Sequence, residues 1–182
     1  MFRAEIKAHS IDERGNELLT VSCTFPRIIL AEVNTHRMLS RNTSSSRAIP
    51  FDKMMESIEQ NPFIPIAWQK NHKGMQGNEY LDESESELAR IGWLDARRRA
   101  VNEAYSLNRN QNVTKQLCNR LLEPFMWTTM LITGPVKGGW DNFFNLRNPS
   151  YQLNEGITFK SKKEMIAHYS NIDFSDKNDL WW

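Results

Sequence analysis

The chain has 182 residues, 40% of them hydrophobic, which is enough for one domain with a real core and short of two. Its 23 basic residues against 22 acidic leave a net charge of +1, which argues against a general nucleic-acid coat or a membrane-surface protein and leaves room for a local anion site. No apolar run approaches the roughly 20 residues of a bilayer span, the N-terminal MFRAEIKAHS lacks the pattern of a signal peptide, and two isolated cysteines, Cys23 and Cys118, read as reduced thiols of a cytoplasmic protein.

Residues 2–10 alternate as a strand does, Asp12–Asn16 supplies a turn, and Leu18–Phe25 is a second β-rich run. Pro26 suits the first turn of a helix expected over PRIILAEVNTHRML. The polar stretch Ser40–Ser46 follows; its serines and asparagine favour caps and side-chain-to-backbone bonds over a helix interior. Pro50 opens a short helix, FDKMMESIEQN, that stops before Pro62, and residues 69–83 read as a loop. Ser84–Leu107 is the longest helical pattern, with Ser84 and Glu87 in a capping-box arrangement. A further helix is expected over Thr114–Leu122, a buried strand over Phe125–Thr133, a turn over Gly134–Gly139 and an amphipathic helix over Trp140–Arg147. Beyond Pro149 the sequence becomes polar and rich in Lys and Asp, so the division expected is a core of residues 1–150 and a divergent tail of residues 151–182.

Three segments carry chemistry. In His36–Arg47, the arginines Arg37, Arg41 and Arg47 lie among Ser40, Asn42, Thr43, Ser44, Ser45 and Ser46. Guanidinium forks, hydroxyls and turn N–H groups are the donors a phosphate needs. The same composition also serves a solvated loop, and residue types alone leave both readings open. Arg120, in NRLLEPFMWTT near a helix end, reads by residue type as a surface charge. Trp140–Arg147 carries Trp140, Phe143, Phe144 and Leu146, which normally pack, and Asn142 and Arg147, which could face a ligand.

Taken together, the segments resemble one family, the flavin-dependent thymidylate synthases. His36, Arg37, Ser40, Asn42, Ser45 and Arg47 fall in register with that family's signature, Arg120 to Pro124 matches its Arg-x-x-x-Pro segment, and Asn142, Leu146 and Arg147 match its Asn-x-x-x-Leu-Arg helix. The wording HRMLSRNTSSSRAIP, with the later KGMQG, looks like a phage-type branch. The resemblance implies an α+β single domain with a mostly antiparallel sheet flanked by helices. It implies that His36, Arg37 and Asn142 contact FAD, and that Ser45, Ser46 (through its backbone), Arg47 and Arg120 bind the phosphate of dUMP, with Arg120 reaching in from a neighbouring subunit of a homotetramer. Arg147 would be the catalytic residue, holding the uracil ring and stabilising negative charge on it. The reaction implied moves a one-carbon unit from methylene-tetrahydrofolate to C5 of dUMP, with reduced FAD as hydride donor and NADPH as the reductant of the FAD. No metal, nucleic acid or membrane belongs to it, and the location implied is the cytoplasm, a host's if the gene is a phage's.

The resemblance departs at Thr35, where the signature's first arginine would make a flavin or folate contact, at Thr43, where an acidic residue is usual, and at Ser46, where glycine is usual. The histidine expected after Arg147 is absent, and GITFKSKKEMIAHYSNI weakly resembles small modules found with homing endonucleases. Two alternatives therefore stand beside the synthase reading: a pyrimidine nucleotide hydroxymethylase on the same fold, and a truncated inactive protein that binds nucleotide.

Overall fold

The computed structural model describes residues 2–74, 79–147, 151–152 and 158–159. Strands β1 (Arg3–Ile11) and β2 (Glu17–Pro26) form a hairpin. Asp12 closes it by accepting from the N–H groups of Arg14 and Asn16, and Gly15 takes the left-handed conformation, φ 79°, that the turn requires. Strand β3 (Ser40–Thr43) and strand β4 (Trp127–Pro135) complete an antiparallel four-stranded sheet of order β1-β2-β4-β3. The fold is thus α+β, a single antiparallel sheet with helices, as the resemblance implies.

One face of the sheet is packed and the other is not. Along β4, Thr128, Met130, Ile132 and Gly134 are buried while Thr129 and Leu131 are exposed, the period-two pattern of a half-covered sheet. Met130 and Ile132 pack with Phe25, Leu39 and Trp140. The opposite face is tied by hydroxyl pairs, Thr20 to Thr133 and Thr24 to Thr129, each at 2.9 Å.

A second cluster belongs to the helices. Helix α2 (Phe51–Gln60) contributes Phe51, Met54 and Ile58, helix α3 (Glu83–Arg109) contributes Val101 and Ala104, and helix α4 (Lys115–Leu121) contributes Cys118. Leu122, Phe125 and Met126 close it from the segment leading into β4. Burying a side chain such as Ile58 stabilises the fold by about 2 kcal/mol. Among the described residues no helix is long and apolar enough to cross a membrane.

Four expectations differ from the structure, each for a local reason. The helix expected over residues 26–39 shrinks to a 3-10 turn, Arg27–Ile29, and one α turn, α1 (Leu30–Val33). At the end of α1 and beyond it, side chains take the carbonyls: Thr35 Oγ1 donates to Glu32 O at 2.6 Å, and Arg41 donates to Asn34 O at 2.7 Å and His36 O at 2.5 Å. Part of the polar stretch, Ser40–Thr43, is a strand, because β4 offers it a partner edge. The capping box of α3 lies two residues earlier than expected. Asp82 accepts from Glu85 N at 2.8 Å, Glu85 accepts from Asp82 N at 3.1 Å, and Ser84 donates to Asp82; an ionised carboxylate is the stronger acceptor. The strand begins at Trp127, after a 3-10 turn over Glu123–Phe125, and runs through Gly134.

Gly134 is needed where it stands. A Cβ there would overlap Cδ2 of Leu39, which is buried. The true turn is Val136–Trp140, with Lys137 extended and Gly138 left-handed at φ 80°, and it leads into helix α5 (Asp141–Arg147). Tyr151–Gln152 pairs with Thr158–Phe159, and the remainder of the expected tail, 153–157 and 160–182, lies outside the described residues.

Two outcomes follow from this packing. Gly134→Ala must displace Leu39 and is expected to destabilise the chain by about 1–2 kcal/mol in urea unfolding; an unchanged midpoint would remove the close approach as a constraint. The Asp82 carboxyl is held below its ordinary value of 3.8, first by the Glu85 N–H and then by the Ser84 hydroxyl. A lowered native value means its contribution is present above the ordinary value and is lost as pH falls through the lowered one. The thermal midpoint of Asp82→Ala should therefore lie below wild type at about pH 6 and converge with it near about pH 2; a gap independent of pH would show that the charge is not what caps α3.

Candidate functional site

The three chemistry-bearing segments, far apart in sequence, are joined at the two ends of strand β3. Residues 44–49 run from β3 into α2, through a 3-10 turn at Ser46–Ala48. Against this loop lies the segment Asn119–Phe125, at the end of α4. The preceding turn meets α5, where the His36 ring stands edge-on to Phe143 with centroids 5.2 Å apart.

Beneath the loop is a buried polar seam. Asn119 is fully buried and donates through Nδ2 to Ser46 O at 2.8 Å and to Ile49 O at 3.0 Å. Among the described residues its Oδ1 has no partner. Ser46, 1% exposed, donates its hydroxyl to Glu123 Oε1. Arg27 Nε lies 3.2 Å from the same carboxylate oxygen, close enough to pair its charge but off-line for a hydrogen bond. The Arg27 side chain is only 9% exposed, and its Nη1 donates to Ser44 O at 3.1 Å. Lys115 Nζ reaches Ala48 O at 3.3 Å.

This arrangement sorts the loop's atoms. The carbonyls of Ser44, Ser46, Ala48 and Ile49 accept from side chains of the surrounding structure. Ser45 and Arg47 are exposed, with Arg47 Nε 3.5 Å from Ser45 Oγ. Outward donors without outward acceptors are what an anion requires. Among the described residues, Arg37, Arg47 and Arg120 have no carboxylate within ion-pair range. All three are exposed. Arg120 follows buried Asn119 on α4, where successive side chains are about 100° apart, so one faces in while the next faces solvent.

The remaining expected residues are placed as follows. His36 is half-buried beside Phe143, and Arg37 is exposed next to it. Asn142 is exposed, with its amide donating to Gly138 O at 2.8 Å. Arg147 ends α5, and its side chain lies outside the described residues. Arg41, read as one of three arginines suited to an anion, instead binds backbone carbonyls and shapes the turn before β3. Sequence reading missed Arg27, Glu123 and Asn119. The signal for two of them was position: Asn119 immediately precedes the matched Arg120–Pro124 segment and Glu123 lies within it.

No family model matches the sequence, and no curated protein matches it. Solved structures do resemble the fold. One is a UMP/dUMP methylase, PolB, from Streptomyces cacaoi bound with 5-Br dUMP, at TM-score 0.62 and 12% identity over 93% of this chain and 88% of that one. The same protein bound with 5-Br UMP matches at TM-score 0.59 and 12% identity, over 93% and 87%. Thymidylate synthase X from Helicobacter pylori, with FAD and dUMP, matches at TM-score 0.50 and 13% identity over 95% and 94%. The chain shares their fold. At such identity the likeness is one of architecture, and the activity has to be argued from the site.

The seam makes a direct prediction. Asn119→Ala leaves the Ser46 and Ile49 carbonyls short of a donor in a dry setting and is expected to cost about 2 kcal/mol in urea unfolding. A loss within a few tenths of a kcal/mol would show that the loop holds its shape without Asn119.

Proposed function

We propose that the chain methylates the uracil ring of dUMP as a flavin-dependent thymidylate synthase does, with methylene-tetrahydrofolate as the carbon donor. The observation that carries this reading is that Glu123, within Arg120–Pro124, binds Ser46 in the loop of residues 44–49, while His36, before β3, meets Phe143 of the Asn142–Arg147 segment, on a fold like that of a UMP/dUMP methylase and of thymidylate synthase X. Residues 1–150 form the core of this reading and 151–182 its appended tail.

Each residue has a part that its chemistry suits. Ser45 and Arg47 donate to the phosphate, and the backbone at Ser46 lies between them. Arg120, exposed and without a carboxylate partner among the described residues, adds a second guanidinium to a dianion, contributed by a neighbouring copy in a homotetramer. Exposed apolar side chains on α3 and α4, Leu88, Ile91, Tyr105, Leu117 and Leu121, support association of copies. Arg147 binds the uracil ring and opposes the negative charge that develops on it.

The donor set also suits FAD. A half-buried imidazole against an aromatic ring, with an exposed guanidinium next to it, offers flat packing and a cation to a planar anionic cofactor. His36, Arg37 and Asn142 would hold it. When bound and reduced at the expense of NADPH, the flavin supplies the hydride.

The test is dUMP-dependent NADPH oxidation with methylene-tetrahydrofolate in the FAD-loaded protein, with product mass distinguishing methyl from hydroxymethyl and UMP run as the parallel substrate. Arg47→Ala and Arg120→Ala should each weaken dUMP binding by about tenfold or more, and Arg147→Ala should lower kcat. A wild-type chain that neither binds dUMP nor turns over would sink the reading. Turnover unaffected by Arg147→Ala would remove that residue from the chemistry.

A further inference from the structure

We infer that Glu123 is the positioning residue of the anion loop, ordering Ser45–Arg47 while Arg27 cancels its charge. The inference rests on the nucleotide reading above and adds to it two residues that contact no substrate.

A carboxylate directly beneath a phosphate site is unexpected, because like charges repel. Glu123 nonetheless accepts the hydroxyl hydrogen of Ser46, the middle residue of the Ser45–Arg47 run. The contradiction is resolved by Arg27, whose Nε lies 3.2 Å from the same oxygen. Arg27 is itself immobilised: its N–H bonds Met126 O at 2.9 Å, and its Nη1 reaches Ser44 O at 3.1 Å and Thr128 Oγ1 at 3.4 Å. The pair therefore grips the loop at Ser44 and at Ser46, one residue to either side of Ser45. Asn119 takes the next carbonyls, at Ser46 and Ile49.

The consequence is electrostatic as well as geometric. With Arg27 and Glu123 mutually neutral, Arg47 and Arg120 set the sign of the site. The serine at position 46 gains a purpose too: a glycine there would have no hydroxyl to bind Glu123.

The experiment compares Glu123→Ala, Glu123→Gln and Ser46→Ala with wild type. It measures the affinity of dUMP against deoxyuridine, and hydrogen exchange at the Ala48 and Ile49 amides, which bond Ser45 O and Ser46 O. Glu123→Ala and Ser46→Ala are expected to weaken dUMP about tenfold, leave deoxyuridine unchanged, and speed exchange at Ala48 and Ile49 but not within α3. Glu123→Gln keeps an oxygen for Ser46 and uncovers the Arg27 charge, so it should keep the loop's protection and bind dUMP about twofold tighter. If Glu123→Gln is as loose as Glu123→Ala, or if Ser46→Ala changes neither readout, the positioning role is overturned. A wild-type chain that binds dUMP no better than deoxyuridine sinks the nucleotide reading and the phosphate part of this one. Exchange at Ala48 and Ile49 then still decides whether Glu123 orders the loop.

Discussion

The Arg27–Glu123 pair, 3.2 Å apart, sits where the two apolar clusters of the molecule meet. On one side the sheet packs under Leu39 and Trp140; on the other, α2, α3 and α4 pack around Met54, Ile58 and Leu122. Each cluster alone is a generic solution to burying apolar surface. The polar seam between them is specific, because a buried charge or amide is tolerated only where its partners are correctly placed. Removing one member leaves the buried ones, Arg27, Ser46 and Asn119, short of a partner, which is why such a seam specifies one arrangement of the loop above it.

Strand order gives that seam its position. Because β4 lies between β2 and β3, the segment entering β4 runs beside both the end of β2 and the loop after β3. Arg27 follows β2 immediately, Glu123 precedes β4 closely, and Ser46 follows β3. Three strand termini at one end of the sheet therefore deliver three side chains to one point. Gly134 lets Leu39 settle against β4, and Arg41 folds the chain back before β3 begins. Thr43 then ties β3 to β4, reaching Thr129 O at 2.7 Å and Thr128 Oγ1 at 3.0 Å. Thr43 and Thr35, departures from the signature, are both occupied by backbone carbonyls, so each has a folding role.

Architecture and chemistry answer different questions here. The likeness to PolB and to thymidylate synthase X at 12–13% identity concerns the path of the chain. What a loop can bind depends on which atoms point outward and how their charges are balanced. In this chain the inward atoms of residues 44–49 are satisfied by Arg27, Glu123, Asn119 and Lys115, and the outward side chains include the Ser44 and Ser45 hydroxyls and the Arg47 guanidinium.

By itself the sequence determined the hairpin, the long helix, the β4 run and the three motif segments. These signals are local: alternation, helical spacing, turn residues and fixed motif intervals are written in neighbouring positions. It also marked Ser45 and Arg47 as donors by residue type, and Arg120 through the motif that Arg120–Pro124 matches. Tertiary structure decided the rest. Ser40–Thr43 is a strand because β4 presents an edge to it, and the helix after Pro26 ends at Val33 because Arg41, several residues on, takes the carbonyls beyond. Arg41 is structural and Arg27 is central, a distinction that identical side chains cannot announce. It depends on whether the nearest partner is a backbone carbonyl or a carboxylate, and that partner arrives through strand order, from residues about a hundred positions away in the case of Arg27 and Glu123.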